Sequence, residues 1–414
     1  MIARPFYIKK IEPFIDKSPI KVLVGIRRSG KSFIMGFIKD ILLKRGVGED
    51  QIIEVNFESR MLPFAKTTDA IYEFVKTKSA KDPQKRIYLL FDEIQEVEGW
   101  ETLINAVSID FKVDIYLTGS NAKLLSGELA TYLAGRYVEI HVYPLSFSET
   151  LPCYRADNAS ITVREAFRKY VRDGGLPFVH SAGMAGEPLC AYVTDVFNSV
   201  LLKDIAKRHR IRDVDMLERI LSYLIMEVGH LFSAQSIVKF LKHENRGVSL
   251  ETLYNYLRYA NESCLAVTLK RNDLAGKQLL SSQEKVYLAD HGFREALFGN
   301  NEACIDQILE NIVAVDLVRR GYDVTVGILG GKEVDFVAER AGRKIYIQVA
   351  YLMPTQEVRD REFSVLERIA DNFPKYVLSM DEMDFSRNGI IHKPIYDFLL
   401  DAENFNMSAG TFDS

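Results

Sequence analysis

The residues with the most recognisable chemistry lie near the N-terminus, in residues 21–32, KVLVGIRRSGKS. A short β-favouring run leads into a segment that fits G-x-x-x-x-G-K-[ST] at every fixed position. Gly25 and Gly30 let the backbone turn tightly, so that its N–H groups can surround phosphate oxygens. Lys31 can reach the β- and γ-phosphates of a nucleotide, and the Ser32 hydroxyl can ligate Mg²⁺. The sequence therefore predicts an ATP–Mg²⁺ loop made of Gly25, Arg27, Arg28, Ser29, Gly30, Lys31, Ser32 and Phe33.

A pair of carboxylates follows a buried-strand pattern further along the chain. The segment IYLLFDEIQEVEGW runs from Ile87 and places Asp92 and Glu93 directly after its apolar residues. Ligands of parallel α/β sheets bind at the carboxyl ends of the strands, so both carboxylates are expected beside the phosphate loop. Asp92 is expected to hold Mg²⁺ with Ser32, and Glu93 to orient and deprotonate an attacking water molecule. A helix N-cap with a first-turn acid is the structural alternative.

A third predicted strand, residues 113–117, ends in the polar residues Thr118, Ser120 and Asn121. A polar side chain at this edge can lie between the two other strand ends and sense the γ-phosphate. Ser120 or Asn121 is the candidate sensor, and helix capping by either residue is compatible with that role. Arg136, after Gly135, is placed to reach a phosphate of its own or a neighbouring subunit; an ordinary surface arginine is the alternative.

The pattern changes between residues 213 and 299, where three predicted helices precede two predicted strands. This is the order of a winged helix-turn-helix. Its third helix offers Thr252, Asn255 and Arg258 to a ligand, so DNA contact and protein docking both stay open. The basic segment 203–212 fits a solvated helix end or a nucleic-acid-binding linker.

The C-terminal block resembles the PD-(D/E)XK nuclease core, in which a helix Glu, a strand Asp and an E/Q-x-K pair bind a divalent metal. Glu310, Asp335 and Gln348 fit the first three positions, but Ala350 stands where the catalytic lysine belongs. Lys332 and Lys344 are nearby, and neither lies at the matching position. A degenerate domain that binds nucleic acid or protein is therefore favoured over an active nuclease.

Four segments together resemble one protein family: GIRRSGKS, LLFDEIQEVEGW, YLTGSNAKLLS and LAGRYVEIHVYPLSFSE. They are similar to the ATPase domain of a widespread bacterial and archaeal group of AAA+-like proteins. The C-terminal region of that group is a domain of unknown function with a restriction-endonuclease-like core. RDGGLPFV, residues 172–179, resembles the Gly-Gly-Phe-Pro element of the group, with Leu176 in place of Phe.

The resemblance covers nearly the whole chain and implies an ASCE P-loop fold that binds ATP. It places Lys31, Ser32, Asp92 and Glu93 in the roles given above, with Arg136 as an arginine finger. By the same resemblance, the sensor is Ser120 or Asn121.

The predicted fold class is α/β: a P-loop NTPase domain with a parallel sheet and helices on both faces, followed by three smaller parts. We expect the ATPase domain at 1–154, a helical lid or linker at 155–212, and a winged-helix domain at 213–299. A mixed α/β restriction-endonuclease-like domain follows at 300–402, and residues 403–414 are predicted to be a disordered tail.

Composition narrows the class of protein. The chain has 414 residues, a formal net charge of −4 and four scattered cysteines. Because no apolar run approaches the length of a spanning helix and no signal peptide opens the chain, a cytoplasmic protein without a membrane partner is expected. The predicted function is an ATP-hydrolysing switch whose C-terminal parts bind DNA, RNA or a protein, or assemble with further copies. A slow-turnover sensor or scaffold and an ATP-gated metal nuclease are the alternatives.

Overall fold

The computed structural model describes residues 2–122, 135–243, 247–276 and 278–401. The chain divides into two compact units, one formed by Met1–Pro144 with Glu262–Cys264 and the other by Leu145–Asn261 with Leu265–Ser414. The predicted domain boundary after residue 154 therefore falls inside a helix of the second unit, Phe147–Asp157. Ser146 starts that helix with a capping box, because its hydroxyl accepts from the N–H of Glu149. The predicted tail, 403–414, lies outside the described residues.

The first unit contains a five-stranded sheet in which every pair of neighbouring strands is parallel. Its order is β2-β3-β4-β1-β5. The strands are β1 (Ile20–Val24), β2 (Ile52–Asn56), β3 (Ile87–Asp92), β4 (Val113–Gly119) and β5 (Tyr137–His141). The predicted parallel P-loop sheet is thus confirmed. Because β4 lies between β1 and β3, its carboxyl end meets both the phosphate loop and the paired carboxylates.

Helices cover both faces of this sheet, as predicted. They are α1 (Pro5–Ile11), α2 (Lys31–Lys44), α3 (Thr68–Ala80) and α4 (Trp100–Asp110). One apolar core joins Val22 and Val24 to side chains of α3 and α4, and a second joins Leu23 to side chains of α1 and α2. The alternation of β1 side chains between the two cores fixes which face of the sheet each helix covers.

A buried ion pair lies near the amino-terminal ends of β1 and β4. Lys21 Nζ is 2.5 Å from Asp114 Oδ1, and both side chains are fully buried. The carboxylate of Asp114 also accepts from the N–H of Asp16 at 2.8 Å and from the Tyr116 hydroxyl at 3.0 Å. Burial lowers the pKa of Lys21 more than the neighbouring Asp114 raises it. Asp114 therefore satisfies three donors at a position that water does not reach.

The second unit begins with helices. They are α5 (Phe147–Asp157), α6 (Val163–Asp173), α7 (Pro177–Ser181), α8 (Glu187–Ser199), a π-helix (Val200–Lys207), α9 (Val214–Met226), α10 (Ala234–His243) and α11 (Leu250–Glu262). Further along are α12 (Gly292–Phe298), α13 (Ile305–Arg319), α14 (Gln356–Glu367) and α15 (Ile395–Leu400). Helices occupy most of residues 155–212, and the three helices α9 to α11 come before the first two strands of this unit.

The second unit also holds a mixed seven-stranded sheet, with the order β12-β11-β10-β9-β8-β6-β7. Its strands are β6 (Ala266–Asp273), β7 (Gln278–Leu288), β8 (Asp323–Leu329), β9 (Lys332–Arg340), β10 (Arg343–Val349), β11 (Lys375–Ser379) and β12 (Ile390–Pro394). Strands β6 and β7 form an antiparallel ribbon, and β6 pairs in parallel with β8. The predicted boundary between 213–299 and 300–402 therefore crosses one continuous sheet. A parallel pairing between distant segments leaves no local sequence signal. The sequence therefore indicated two domains where the structure has one continuous sheet.

The Gly-Gly element of residues 172–179 is a point of close backbone packing. Gly174 has φ +73°, and a Cβ there would lie 2.3 Å from Asp290 Oδ1. The carboxylate of Asp290 accepts from the N–H of Gly175 at 2.9 Å and from that of Gly292 at 2.8 Å. The carbonyl of Gly175 accepts from the N–H of Leu145, the first residue of the unit, at 2.6 Å. The two glycines thus join the start of the second unit to the segment that begins α12.

Candidate functional site

The phosphate loop connects β1 to α2, and its two fixed glycines have different physical requirements. Gly30, with φ 97°, is the N-cap of α2 and has a left-handed conformation that favours glycine. At Gly25 a Cβ would lie 2.1 Å from the carbonyl oxygen of Val142. Gly25 is therefore needed for the close approach of the chain after β5. The first N–H groups of α2 have no partner within the helix, which is the property of an anion-binding helix end.

Lys31 is the first residue of α2, and its side chain lies back over the loop. Its ammonium group donates to the carbonyls of Gly25 at 2.9 Å and Ile26 at 3.1 Å. The same group is 3.8 Å from Glu93 Oε1, and the side chain is only 4 % exposed. Lys31 is therefore positioned inside the cradle of backbone groups that the motif predicts.

Asp92 is the centre of the polar contacts at the carboxyl edge of the sheet. One carboxylate oxygen accepts from the Ser32 hydroxyl at 2.8 Å and from the Asn56 amide at 3.0 Å. The other accepts from the Thr118 hydroxyl. Asn56 pairs with Asp92 in the register of β2 and β3, and Thr118 comes from β4. Four segments of the fold thus converge on one carboxylate.

Glu93 follows Asp92 in an unusual backbone conformation. Its φ is 55°, in the left-handed region that non-glycine residues seldom occupy. Its N–H donates to Thr118 Oγ1 at 2.9 Å, which holds the turn in place. Its carboxylate accepts from the Gln95 amide and faces Lys31. Strained positions of this kind concentrate at functional sites, and here the turn brings a second carboxylate next to Lys31.

Thr118, near the end of β4, contacts both carboxylate residues, whereas the sequence prediction named Ser120 or Asn121 as the sensor. Its hydroxyl lies between the carboxylate of Asp92 and the N–H of Glu93. Ser120 and Asn121 are completely buried, just beyond the end of β4. The observed strand extends to Gly119, two residues past the predicted end, and this shift makes Thr118 the strand-end residue. Asn56 was also not identified from the sequence as a residue of this site. Its place at the end of β2 was the signal that could have indicated it.

Replacing Thr118 with valine removes the bridging hydroxyl and keeps the volume of the side chain. A hydrogen bond to a charged group contributes roughly 1.5–3 kcal/mol, so kcat for ATP hydrolysis is expected to fall roughly 10- to 100-fold. The KM for ATP should change less, because the hydroxyl contacts the carboxylate of Asp92 and the backbone N–H of Glu93. Thr118→Ser keeps the hydroxyl and should restore most of the rate. Steady-state kinetics of the three proteins would test this, and equal kcat values in Thr118→Val and the native protein would contradict it.

Arg4 is a further residue that the motif does not include. It is almost fully buried, and its guanidinium group donates to the carbonyl of Ser29 in the phosphate loop at 2.9 Å. It also donates to the carbonyl of Tyr143 at 2.9 Å. Arg4 thus fixes the loop to the chain segment that follows β5. No sequence pattern identifies such a residue, because its acceptors are backbone carbonyls far away in the chain.

The remaining predicted residues of the loop, and Arg136, lie in differing surroundings. Arg27 pairs with Glu58 at 3.0 Å, Arg28 is exposed, and Ser29 is fully buried. Phe33, in the first turn of α2, is 51 % exposed. Arg136 is exposed, and its carbonyl accepts from the N–H of Ile20 at the start of β1.

The donor set of this edge fits a magnesium nucleotide. A hydroxyl and a carboxylate in contact, Ser32 with Asp92, are the ligand types that Mg²⁺ takes from proteins of this kind. Lys31 and the first N–H groups of α2 are the complementary donors for phosphate oxygens. The residues present therefore fit ATP with Mg²⁺.

The nuclease-like residues also meet, in the second unit. Glu310 lies on α13, Asp335 on β9 and Gln348 on β10. One carboxylate oxygen of Asp335 accepts from the N–H of Val349 at 2.8 Å, and the Asp335 N–H donates to Gln348 Oε1 at 3.4 Å. The fold thus places the three predicted residues on adjoining elements.

A lysine that the sequence did not suggest belongs to this cluster. Lys285, on β7, donates to Glu310 Oε2 at 2.9 Å and is 2.6 Å from Glu333 Oε1. The hydroxyl of Tyr287, two residues further along β7, donates to Glu310 at 3.1 Å. The two lysines considered from the sequence have other partners: Lys332 donates to Ser364, and Lys344 pairs with Glu339.

Burial dominates the electrostatics of this cluster. It raises the pKa of Asp335 well above the usual value, and the nearby carboxylate of Glu310 adds to the rise. Burial also raises the pKa of Glu310, against the opposing effect of Lys285. For Lys285, burial acts to lower the pKa, but Glu310, Asp335 and Glu333 outweigh it and the pKa is raised. The ammonium group therefore stays charged throughout the range in which proteins are stable.

Ala350 lies in apolar surroundings. It is 6 % exposed and belongs to a buried hydrophobic cluster with Val334, Tyr346, Met353 and Phe363. A lysine at this position would have to place its stem among these side chains. The position at which the nuclease pattern would have its lysine is thus packed among apolar side chains.

The helix trio presents a mixed surface. In α11 the side chains of Leu253, Tyr256 and Leu257 are buried, whereas Arg258 is exposed and Thr252 and Asn255 are half-buried. In the basic segment before the trio, His209 stacks on Tyr259 with ring centroids 3.5 Å apart. That contact shows that the basic segment packs against α11.

The described ranges contain neither a metal-binding cluster of His, Cys, Asp or Glu side chains nor a helix that could span a membrane. Within residues 2–122, 135–243, 247–276 and 278–401, no three His, Cys, Asp or Glu side chains are arranged to hold a metal ion. None of the helices in those ranges has both the length and the apolar composition needed to cross a bilayer.

The sequence of this chain is similar to family models and to other proteins. A family model described as an AAA domain matches residues 17–151, and one described as a domain of unknown function (DUF8612) matches residues 164–303. An uncharacterised protein of Methanocaldococcus jannaschii is 28 % identical over 399 residues, which cover 92 % of this chain and 86 % of that protein. The solved structure of AMPPCP-bound DnaA from Aquifex aeolicus has a TM-score of 0.32 and 11 % identity, covering 63 % of this chain and 90 % of that chain. A structural likeness at this level supports no conclusion about function.

A nearer relative is an uncharacterised protein of Haemophilus influenzae, 38 % identical over 380 residues. The match covers 92 % of this chain and 93 % of that protein. Identity at this level over nearly the full length of both proteins places them in one family. The chain therefore belongs to the same protein family as this Haemophilus influenzae protein, and its first unit carries the AAA-type P-loop domain.

Proposed function

We propose that the chain is an ATP-binding and ATP-hydrolysing switch protein. The observation that carries the proposal is the set of contacts around Asp92, which joins the hydroxyl of Ser32 to that of Thr118 while Glu93 faces Lys31. Phosphoryl transfer to water depends on positioning and charge neutralisation, and each part required for it has a residue here.

The roles follow from the chemistry of the side chains. Lys31 and the N-terminus of α2 bind the phosphates, and Ser32 and Asp92 hold Mg²⁺, which neutralises the charge of the phosphates when it is bound. Glu93 orients a water molecule and takes its proton. Thr118 keeps the two carboxylates in their relative positions. Arg136, which is exposed before β5, is available as an arginine finger in its own or a neighbouring subunit.

The second unit is the proposed output of the switch. Its helices between 155 and 212 are the proposed lid, and the trio α9 to α11 with the β6–β7 ribbon follows the order of a winged helix. Exposed Arg258 with Asn255 and Thr252 on α11 supports contact with nucleic acid, although the exposed side chains of Leu250 and Tyr254 on the same helix suit a protein partner equally well. A slow-turnover sensor or scaffold remains the second candidate, because the nuclease-like cluster lacks the lysine at position 350.

Steady-state ATP turnover of the purified protein tests the proposal, with Mg²⁺ present and after its removal by a chelator. Turnover is expected only with Mg²⁺, since Ser32 and Asp92 act through the ion. The same assay with duplex and single-stranded DNA identifies the kind of partner that the second unit binds. A higher rate of ATP turnover supports coupling to nucleic acid, and an unchanged rate supports a protein partner. Rapid single-turnover hydrolysis would argue against the sensor or scaffold. Absence of both magnesium-dependent turnover and ATP binding would overturn the proposed function.

A further inference from the structure

Lys285 has a position that neither the phosphate loop nor the nuclease pattern accounts for. Its ammonium group contacts carboxylates from two elements, Glu310 on α13 at 2.9 Å and Glu333 on β9 at 2.6 Å. The Lys285 side chain is only 5 % exposed, and that of Glu310 is 14 % exposed. An ammonium group held this way brings together carboxylate oxygens of different elements, which is also what a divalent cation does.

The charges around Lys285 show what a metal ion would meet. The carboxyl groups of Glu310, Glu333 and Asp335 surround one permanent positive charge, and Gln348 adds a neutral amide. A divalent ion would have to displace the ammonium group from Glu310 or bind beside it against strong like-charge repulsion. Displacement would also leave a buried lysine without two ion pairs, which is a large cost. The cluster therefore does not fit a metal ion while Lys285 is present.

The surroundings agree with a cation that is built into the fold. Tyr287 donates to the same oxygen of Glu310 as Lys285, so that oxygen already has two donors. One oxygen of Asp335 is taken by the N–H of Val349. Among the described residues, no arrangement of three His, Cys, Asp or Glu side chains suits a metal.

We propose that the ammonium group of Lys285 is the resident cation of this cluster and replaces the divalent metal of a nuclease-like site. The native chain accordingly binds no divalent ion at Glu310 and Asp335. The carboxyl groups still lie on adjoining elements, so removal of the ammonium group uncovers a latent site for a hard divalent cation such as Mn²⁺. This inference concerns the second unit and is independent of the proposed ATPase.

Lys285→Met tests the inference, because methionine fills much of the space of the lysine stem without its charge. Mn²⁺ binding to the full-length, nucleotide-free protein is measured by electron paramagnetic resonance, together with the thermal unfolding midpoint. Lys285→Met is expected to bind one more Mn²⁺ per chain than the native protein, because the like-charge repulsion of the ammonium group is removed. Mn²⁺ should raise the midpoint of the variant, and the added substitution Asp335→Asn should abolish both effects.

Controls separate this site from other sources of binding. Lys344→Met also removes an ion-paired lysine, since Lys344 lies 2.7 Å from Glu339, and it should leave Mn²⁺ binding at the native level. Any Mn²⁺ at the phosphate loop is common to all variants and cancels in the comparison. If Lys285→Met does not fold, the native protein and Asp335→Asn decide the question: identical Mn²⁺ isotherms support the inference, and weaker binding by Asp335→Asn overturns it.

Two other results would overturn the inference. One is that folded Lys285→Met acquires no additional Mn²⁺. The other is Mn²⁺-dependent DNA cleavage by the native protein that is lost in both Lys285→Met and Asp335→Asn, which would make Lys285 a catalytic lysine beside a bound metal.

Discussion

Glu93→Gln is expected to lower ATP turnover by at least about 100-fold, the usual contribution of a general base. Glutamine has the shape of glutamate but cannot take a proton from water. The turn that carries Glu93 is held by its backbone N–H, which donates to Thr118, so the substitution leaves the turn in place and removes only the negative charge 3.8 Å from Lys31. ATP binding, followed with a fluorescent nucleotide, should remain close to that of the native protein.

Two further variants show whether the effect belongs to Glu93. Glu96→Gln changes a partly exposed glutamate of the same segment, which lies 3.7 Å from Lys66, and should turn over ATP at the native rate. Lys31→Ala should instead weaken nucleotide binding itself, because it removes the phosphate-binding cation. Native turnover in Glu93→Gln would remove Glu93 from the mechanism, and unchanged affinity and turnover in Lys31→Ala would disprove the phosphate site.

The second large effect concerns stability rather than catalysis. Asp114→Ala is expected to lower the free energy of unfolding of the first unit by roughly 3–5 kcal/mol, because it leaves buried Lys21 without its partner. The Tyr116 hydroxyl and the Asp16 N–H lose their acceptor as well. Trp100 is the only tryptophan of the chain and is buried in the core of the first unit, so denaturant unfolding followed by its fluorescence reports on this unit.

Comparison variants distinguish a buried unpaired charge from the loss of any carboxylate. Asp110→Ala removes an exposed carboxylate that accepts from the Tyr72 hydroxyl, and should cost less than about 1 kcal/mol. The double variant Lys21→Met/Asp114→Leu removes both charges and should recover much of the loss. A loss below about 1 kcal/mol in Asp114→Ala would show that the ion pair contributes little.

The sequence predicted the parts of the first unit that are encoded locally. The fixed glycines, Lys31 and Ser32 lie within one short segment, and Asp92 with Glu93 ends an apolar strand. Such signals need no knowledge of the distant chain. The choice among Thr118, Ser120 and Asn121 depended on where β4 ends, and strand ends are seldom defined to within two residues by composition.

Contacts between distant segments could not be predicted in the same way. Lys285 on β7 contacts Glu310 on α13 and Glu333 on β9, and these three elements are not consecutive in the chain. No local pattern encodes a parallel pairing of residues 271–273 with 326–328. Arg4 was missed for a related reason, since its acceptors are backbone carbonyls, which carry no residue identity.

The pairing of β6 with β8 also limits how this protein can be divided. A chain that stopped after residue 299 would keep the β6–β7 ribbon but lose every strand beyond β6 in the sheet. The N–H and C=O groups of β6 that bond to β8 would then form an open edge, which favours pairing between copies and aggregation. A fragment that began at residue 300 would expose the matching edge of β8 and would lack Lys285 against Glu310. The β6–β7 ribbon and the strands from β8 to β12 therefore have to be gained, lost or transferred together.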